Sequence, residues 1–304
     1  MHYYNYTVTD TNFNVRLIAA TSLRSHYEIT FPTPRPTSWQ EGNTVYGDFF
    51  VPQTMKRVPL VILVHGFGDE SVAPCLTMAR LLVRQEIATF VFYLPIHSRR
   101  LPEAMKGSFS PPTSQGWLET YQSSVTEICR LVDWASDRKE IDPKRIGVAG
   151  ISLGGMISSI AMALDERIFA GVFIVIGGNM EELSWGSKSG AIPVGHACTR
   201  EECHTVYSQY PAYLNEVIQK GLENAVPAKE CFLYDPLTFA NRLQGRPILM
   251  INAKEDEVVS EHSTLNLWEA YGRPRLLWLP VTHAGVYSQS ALISTEITHF
   301  LNSI

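Results

Sequence analysis

The hydrophobic positions of this chain fall into short, continuously apolar runs separated by longer segments with helical periodicity. Runs that are almost entirely apolar and only four to seven residues long are typical of strands buried on both faces of a parallel sheet. We predict such strands at 59–65, 88–94, 146–149, 171–176, 247–252 and 275–279.

The segments between these runs carry the helical pattern. Over 117–138 the apolar residues recur at steps of three and four, which places them in one stripe along a helix. Further helices are predicted at 75–85, 153–164 and 289–302. Strands that alternate with helices in this way predict a doubly wound, mostly parallel α/β sheet with helices on both faces.

Two stretches depart from this alternation. Residues 1–58 are rich in Tyr, Thr, Phe and Val and predict two or three antiparallel strands. The interval 179–245 is too long for one crossover helix, and Pro211 within it suits the first turn of a helix. Because single α/β domains commonly reach about 250 residues, we expect one domain over 1–304 that carries a cap insertion at 179–245.

Composition narrows the range of partners. The 304 residues include 25 Lys plus Arg against 30 Asp plus Glu, a formal charge of -5 without a basic stripe, so we expect no nucleic-acid partner. No apolar run approaches the ~20 residues of a membrane span, and the N-terminus lacks a secretory signal. We therefore expect a cytoplasmic protein that does not span a membrane, and the sequence is compatible with a homo-oligomer.

One motif carries chemistry. The sequence GISLGG at 150–155 lies between a predicted strand and a predicted helix. A sharp strand-to-helix turn needs small residues two positions before and two positions after its centre, because larger side chains would collide there. Such a turn holds the central Ser152 out at the carboxyl edge of the sheet, close to the positive helix N-terminus. We therefore predict a nucleophile elbow with Ser152 as the nucleophile.

A serine hydroxyl needs a base, and in a sheet of this order the base follows the nucleophile in the chain. His262 and His299 follow Ser152 but fall on predicted helices. His283 lies in a loop that leaves a strand and precedes small residues, so we predict that His283 is the base.

The acid and the oxyanion donors complete the predicted site. Asp256 follows the strand at 247–252 and is the predicted acid, although Glu255 and Glu257 in the same loop remain competitors. The oxyanion of a tetrahedral intermediate needs two hydrogen-bond donors. We predict the backbone N–H groups of Leu153, directly after the nucleophile, and of Phe67, in the loop after the first buried strand.

With these pieces in place, the chain resembles the α/β-hydrolase superfamily over residues 45–304: HGFGD, GISLGG, KEDEVV and THAG occur in the family's order. DPKRIGVAGISLGG and LPIHSRR look most like the dienelactone hydrolase, acetyl xylan esterase and prolyl oligopeptidase branch. The resemblance implies an α/β-hydrolase fold and a serine carboxylesterase that acts on small-molecule esters of small to medium acyl chains without a metal or organic cofactor. A peptidase, amidase or thioesterase on the same triad, or a binding module without catalysis, are the alternatives.

Several other side chains have a structural and a functional interpretation. The set His196, Cys198, Cys203 and His204 permits a zinc site or a Cys198–Cys203 disulfide, but the usual CxxC spacing is absent and we assign no special role. 

Four polar residues near the predicted site receive structural interpretations. His65 ends a central strand ahead of the nucleophile and is expected to brace the following loop, and Asp235 before Pro236 is expected to cap a helix. Arg99 and Arg100 are expected to form loop salt bridges rather than to bind an anionic substrate.

Overall fold

A nine-stranded sheet organises the protein. The structure is a computed structural model that describes residues 3–6, 12–37, 39–68, 72–103, 113–188 and 198–304. The strands lie in the order β1-β2-β3-β5-β4-β6-β7-β8-β9. They are β1 (Asn14–Ala20), β2 (Arg24–Pro32), β3 (Thr44–Pro52), β4 (Val58–Val64), β5 (Ala88–Phe92), β6 (Ile141–Ile151), β7 (Ile168–Ile174), β8 (Ile248–Ala253) and β9 (Arg275–Leu279).

The sheet divides into an antiparallel edge and a parallel remainder. Strands β1, β2 and β3 pair antiparallel, and β3 joins β5 antiparallel, whereas β5, β4, β6, β7, β8 and β9 are parallel neighbours. Strand β4 is buried at nearly every position, as its uniformly apolar sequence requires between two helical layers. The predicted start of two or three antiparallel strands is confirmed with three, and the predicted parallel sheet is confirmed as well.

Eight α-helices within the described residues cover the sheet. They are α1 (Val72–Leu82), α2 (Ser114–Ser136), α3 (Leu153–Leu164), α4 (Met180–Trp185), α5 (Arg200–Tyr207), α6 (Tyr210–Lys220), α7 (Glu261–Ala270) and α8 (Ser290–Asn302). Helices α2, α3 and α7 bury their apolar sides in one core cluster, and α1 and α8 bury theirs in a second. Helices therefore cover both faces, which gives the doubly wound α/β-hydrolase fold.

Several strand boundaries differ from prediction, including the end of β5 and both ends of β6 and β7. Strand β6 begins at Ile141 rather than at 146, and its register with β4 shifts between the first two paired positions, so this polar start is an irregular extension. Strand β7 ends at Ile174 rather than at 176, because Val175 has a φ of 48° and turns the chain away from the strand.

The chain between β7 and β8 contains α4, α5 and α6. Tyr207, Tyr210 and Tyr213 surround the fully buried Phe232 with ring centroids 4.6 to 5.2 Å from it. These aromatic side chains therefore form a local core.

Within the parts of the chain that are described, no helix combines the length and apolarity needed to cross a membrane.

A buried ion pair ties the loop after β5 to α2. Both guanidinium Nη atoms of Arg100 donate to the Glu127 carboxylate at 2.7 Å, and the two side chains are 1% and 0% exposed. Arg99 forms an exposed pair with Glu28. The expected salt-bridge roles of Arg99 and Arg100 are confirmed.

Candidate active site

The turn between β6 and α3 holds Ser152 in a strained conformation. Ser152 has φ 52° and ψ -120°, and its N–H donates to the Ile174 carbonyl at 2.8 Å. A Cβ on Gly150 would lie 2.3 Å from the Gly154 carbonyl oxygen, and a Cβ on Gly154 would lie 2.3 Å from the His65 carbonyl oxygen. A side chain at either position would therefore collide with backbone unless the turn shifted, which is the steric requirement that the sequence motif indicated.

Three side chains from three loops meet at this turn. His283 Nε2 lies 3.0 Å from Ser152 Oγ. On the other side of the ring, His283 Nδ1 lies 2.9 Å from Oδ2 and 3.0 Å from Oδ1 of Asp256. The carboxylate favours the proton on Nδ1, which leaves the lone pair of Nε2 to accept from the serine hydroxyl.

The loop after β8 fixes the carboxylate. Asp256 Oδ1 accepts the N–H of Val258 at 2.9 Å and the N–H of Val259 at 2.7 Å. Glu257 instead accepts the backbone N–H of His283 at 3.2 Å, and Glu255 is exposed. Of the three competing carboxylates, Asp256 is therefore the one that faces the imidazole.

The other late histidines lie away from this cluster. His262 is on α7 with a 69% exposed side chain and its Nδ1 lies 3.6 Å from Glu182, and His299 is exposed on α8. Neither is hydrogen-bonded to Ser152. The structure therefore brings together the Ser152, His283 and Asp256 that the sequence analysis selected.

Two backbone segments border the Ser152 hydroxyl. Leu153 is the first residue of α3, and within the described chain no acceptor is hydrogen-bonded to its N–H. On the opposite side, a Cβ on Gly66 would lie 3.4 Å from the Ser152 Cβ, so the loop that carries Phe67 lies against the nucleophile. This placement is compatible with the two donors that the sequence analysis selected.

His65 fixes the start of that loop. Its Nδ1 donates to the Gly66 carbonyl at 2.7 Å, and its Nε2 accepts the Leu94 N–H at 3.1 Å. Burial is the main cause that lowers the pKa of His65 to about 3, so the ring is neutral at physiological pH. The expected bracing role of His65 is confirmed.

Backbone strain is concentrated near this edge of the sheet. Ile96, Ser98, Val175 and Asn179 all have φ between 48° and 69°, and all follow the carboxyl ends of β5 or β7. A β-branched residue with positive φ is a genuine outlier, and such strain accumulates at functional sites. Sequence analysis missed these residues because none of them is a glycine that would mark the turn.

Asp235 has a wider role than the predicted helix cap. Besides accepting the Leu237 N–H at 3.0 Å, its carboxylate accepts the N–H groups of Asn179 and Met180 at 3.1 and 2.8 Å. It therefore also fixes the loop that leaves β7 beside the elbow. No local sequence signal predicts this second contact, because the partners are more than 50 residues apart.

A cavity of about 550 Å³ lies between the loop after β5 and the start of α2. Pro95, Ile96, Gly116 and Thr120 contribute to its lining. Its described lining contains no member of the Ser152 cluster, so the cavity is a neighbour of the candidate site rather than the space directly above the nucleophile.

The sequence analysis allowed His196, Cys198, Cys203 and His204 to form a zinc site or a Cys198–Cys203 disulfide. Cys198 and Cys203 are free thiols, and His204 Nδ1 contacts Glu181 at 2.8 Å, while His196 lies outside the described residues. In the portion of the chain that is described, no group of three or more His, Cys, Asp or Glu side chains has the geometry of a metal site.

Comparisons with known proteins agree with the fold. Residues 10–204, nearly two thirds of the chain, match the family described as Alpha/beta hydrolase domain containing 18. That range contains Ser152 and Phe67 and ends before Asp256. Uncharacterized proteins from two strains of Mycobacterium tuberculosis are 28% identical over 198 residues, which is 64% of this chain and 41% of theirs. The chain thus spans about two fifths of the length of these curated relatives.

Solved structures extend the similarity across the whole sheet. A cold-adapted esterase from an Arctic intertidal metagenomic library superposes with a TM-score of 0.61 at 18% identity, over 95% of this chain and 99% of that one. An acetyl xylan esterase from Paenibacillus sp. R4 superposes with a TM-score of 0.67 at 16% identity, over 96% of this chain and 88% of that one. At these identities the likeness shows the fold alone.

Proposed function

The chain belongs to the family Alpha/beta hydrolase domain containing 18, and from that premise we propose that it is a serine hydrolase that cleaves carboxylic esters of small to medium acyl chains. The observation that carries the proposal is the hydrogen-bonded series Ser152–His283–Asp256, with 3.0 Å between Ser152 Oγ and His283 Nε2. A serine with no base is a weak nucleophile, and this contact supplies the base.

In the proposed first half-reaction, Ser152 Oγ attacks the ester carbonyl carbon while His283 Nε2 takes the hydroxyl proton. Asp256 stabilises the resulting imidazolium and holds its orientation. The Leu153 and Phe67 N–H groups donate to the oxyanion, and the alcohol leaves with the proton from His283. Water then hydrolyses the acyl-enzyme by the same route, with His283 again as base and acid.

We also propose that the chain forms one catalytic domain over 1–304 and that residues 179–245 act as its cap. Lys188 N–H and Ser187 Oγ both donate to the Glu257 carbonyl, at 2.8 and 3.1 Å, which attaches the start of this region to the acid loop. Residues so attached can influence which acyl and alcohol groups reach Ser152. The structural neighbours named as esterases favour an ester over an amide substrate.

A p-nitrophenyl ester series with increasing acyl length tests the proposal. We expect turnover of short acyl esters by the wild type, loss of about a thousandfold or more in Ser152→Ala, and no change in the exposed control Ser303→Ala. Cleavage of aminoacyl amides or acyl thioesters without ester turnover would replace the esterase assignment by a peptidase or thioesterase one.

A fluorophosphonate probe separates catalysis from binding without a substrate. The probe forms a covalent bond only with an activated serine, so tryptic peptide 146–167 should carry the label at Ser152. Absence of both labelling and turnover in the folded protein would favour the binding module.

A further inference from the structure

Three of the five cysteines lie together in the region between β7 and β8. Cys198, Cys203 and Cys231 line one small cavity of about 40 Å³, and all three are free thiols. The cavity therefore brings three of the chain's five thiols to one place.

The start of α5 brings two of these thiols to one side of the helix. Thr199 is the N-cap and forms a capping box with Glu202. Cys198 therefore occupies the position before the cap, and Cys203 occupies the fourth helical position. In a hydrophobic staple these two positions pack against each other. Here both positions of the staple are cysteines, and both line the same small cavity.

The two thiols differ in access to solvent. Cys203 is 5% exposed, whereas Cys198 is only half-buried. Burial first, and then the neighbouring Cys198 thiol, raise the pKa of Cys203 to about 12. Cys198 is thus the thiol that a dissolved reagent reaches, and Cys203 is the thiol behind it.

Cys231 is the competing partner, and its surroundings disfavour it. Cys231 is 9% exposed and belongs to a separate 3-10 helix at Glu230–Leu233. Cys198 and Cys203, in contrast, flank the same helix start as the N′ and N4 positions. A bond between them would join two positions of one element rather than two separate elements.

We propose that Cys198 and Cys203 are a reversible disulfide site that responds to low-molecular-weight disulfides such as oxidised glutathione. The Cys198 thiolate attacks one glutathione sulfur, the glutathione S–S bond breaks, and one glutathione leaves and takes up a proton. The deprotonated Cys203 then attacks the Cys198 sulfur, and the second glutathione leaves in the same way. The protein pair is oxidised by two electrons, and the small disulfide is reduced to two thiols.

The bond would fix the first turn of α5 to the residue before it. Helix α5 carries Tyr207, whose hydroxyl donates to Asp235 Oδ2 at 3.2 Å, and Asp235 accepts the Met180 N–H at 2.8 Å. The disulfide therefore acts on the helix that contacts the loop after β7, and it is independent of whether Ser152 turns over esters.

Peptide mapping of the folded full chain tests the proposal. Trypsin separates the three cysteines into peptides 189–200, 201–220 and 230–242, because Arg200 lies between Cys198 and Cys203. After incubation with oxidised glutathione and alkylation of the remaining thiols in denaturant, we expect peptide 189–200 linked to peptide 201–220. If the oxidised protein is first reduced by dithiothreitol, all five cysteines should then be alkylated.

Two variants assign the order of attack. Cys203→Ser should accumulate a glutathione mixed disulfide on Cys198, because the second thiol is missing. Cys198→Ser should leave Cys203 unmodified while the chain is folded. A link from peptide 189–200 to peptide 230–242, or five alkylated thiols in the treated wild type, would overturn the proposal.

Discussion

Gly154 packs between the two chain segments that carry the proposed oxyanion donors, so replacing it by alanine should lower catalysis more than it lowers stability. A Cβ there would lie 2.3 Å from the His65 carbonyl oxygen and 2.4 Å from that of Val64, whereas real Cβ contacts stay above 3.0 Å. In Gly154→Ala the start of α3 and the end of β4 must therefore separate by about 0.7 Å. Leu153 lies on one side of this gap and Phe67 follows the other.

The magnitudes of the two effects can be compared. Forcing a methyl group into a packed site typically costs about 1–3 kcal/mol, and the better helix propensity of alanine offsets up to about 1 kcal/mol of that. The loss of unfolding free energy should therefore be about 0–2 kcal/mol. A misplacement close to 1 Å at a catalytic constellation, in contrast, lowers the rate by about a hundredfold.

The assay pairs p-nitrophenyl ester turnover with urea denaturation of the same preparations. Gly42→Ala is the matched control, because its Cβ would meet Thr37 Oγ1 at an ordinary 3.4 Å. We expect Gly42→Ala to retain wild-type turnover and Gly154→Ala to lose about a hundredfold while remaining folded. Turnover within twofold of the wild type in Gly154→Ala would refute the reasoning that this glycine sets the donor spacing.

Three further predictions concern the acid, the buried pair and the bracing histidine. Asp256→Asn should lower ester turnover by about 10³–10⁴-fold. Glu257→Gln retains an acceptor for the His283 backbone N–H and should lower turnover less than about tenfold. Equal losses in the two variants would contradict the assignment of Asp256 as the acid. Glu127→Gln leaves the Arg100 charge buried without its counter-ion and should cost about 3–5 kcal/mol in urea denaturation, and a cost below about 1 kcal/mol would refute the pair's importance. Folding lowers the pKa of His65 to about 3, so between about pH 6.5 and 3 the unfolded chain binds a proton on this imidazole that the folded chain does not. The unfolding free energy should therefore decrease by up to about 1.4 kcal/mol for each pH unit by which the pH falls through this range. His65→Gln should show a shallower dependence between pH 7.5 and 5, and identical slopes would argue against a neutral buried imidazole.

Local patterns made the parallel sheet and the elbow predictable. The predicted strand at 59–65 agrees with β4 within one residue at each end because buried strands are uniformly apolar. The predicted helix at 153–164 coincides with α3, because the glycine-rich turn before it marks where the helix begins. Such features depend only on neighbouring residues, so the sequence displays them directly.

Long-range polar pairs and strained turns were not predictable in the same way. Arg100 and Glu127 are 27 positions apart, and only the packing of α2 against the loop after β5 makes them partners. Val175 adopts a positive φ although its type favours extended backbone. Its N–H donates to the Ile251 carbonyl at 2.8 Å, so β8, distant in sequence, helps to hold the strained conformation.

Side-chain length distinguishes Asp256 from the two glutamates beside it in the acid loop. Glu255, Asp256 and Glu257 are equivalent as anions, but the short aspartate side chain can accept backbone N–H groups two and three residues onward, and Asp256 accepts those of Val258 and Val259. This local turn fixes the carboxylate before it meets the imidazole, which lowers the entropy lost on forming the contact with His283. A glutamate has one more rotatable bond, so closing the same turn would cost it more conformational entropy. The preference for Asp256 is therefore a consequence of backbone geometry and not of charge, which the three side chains share.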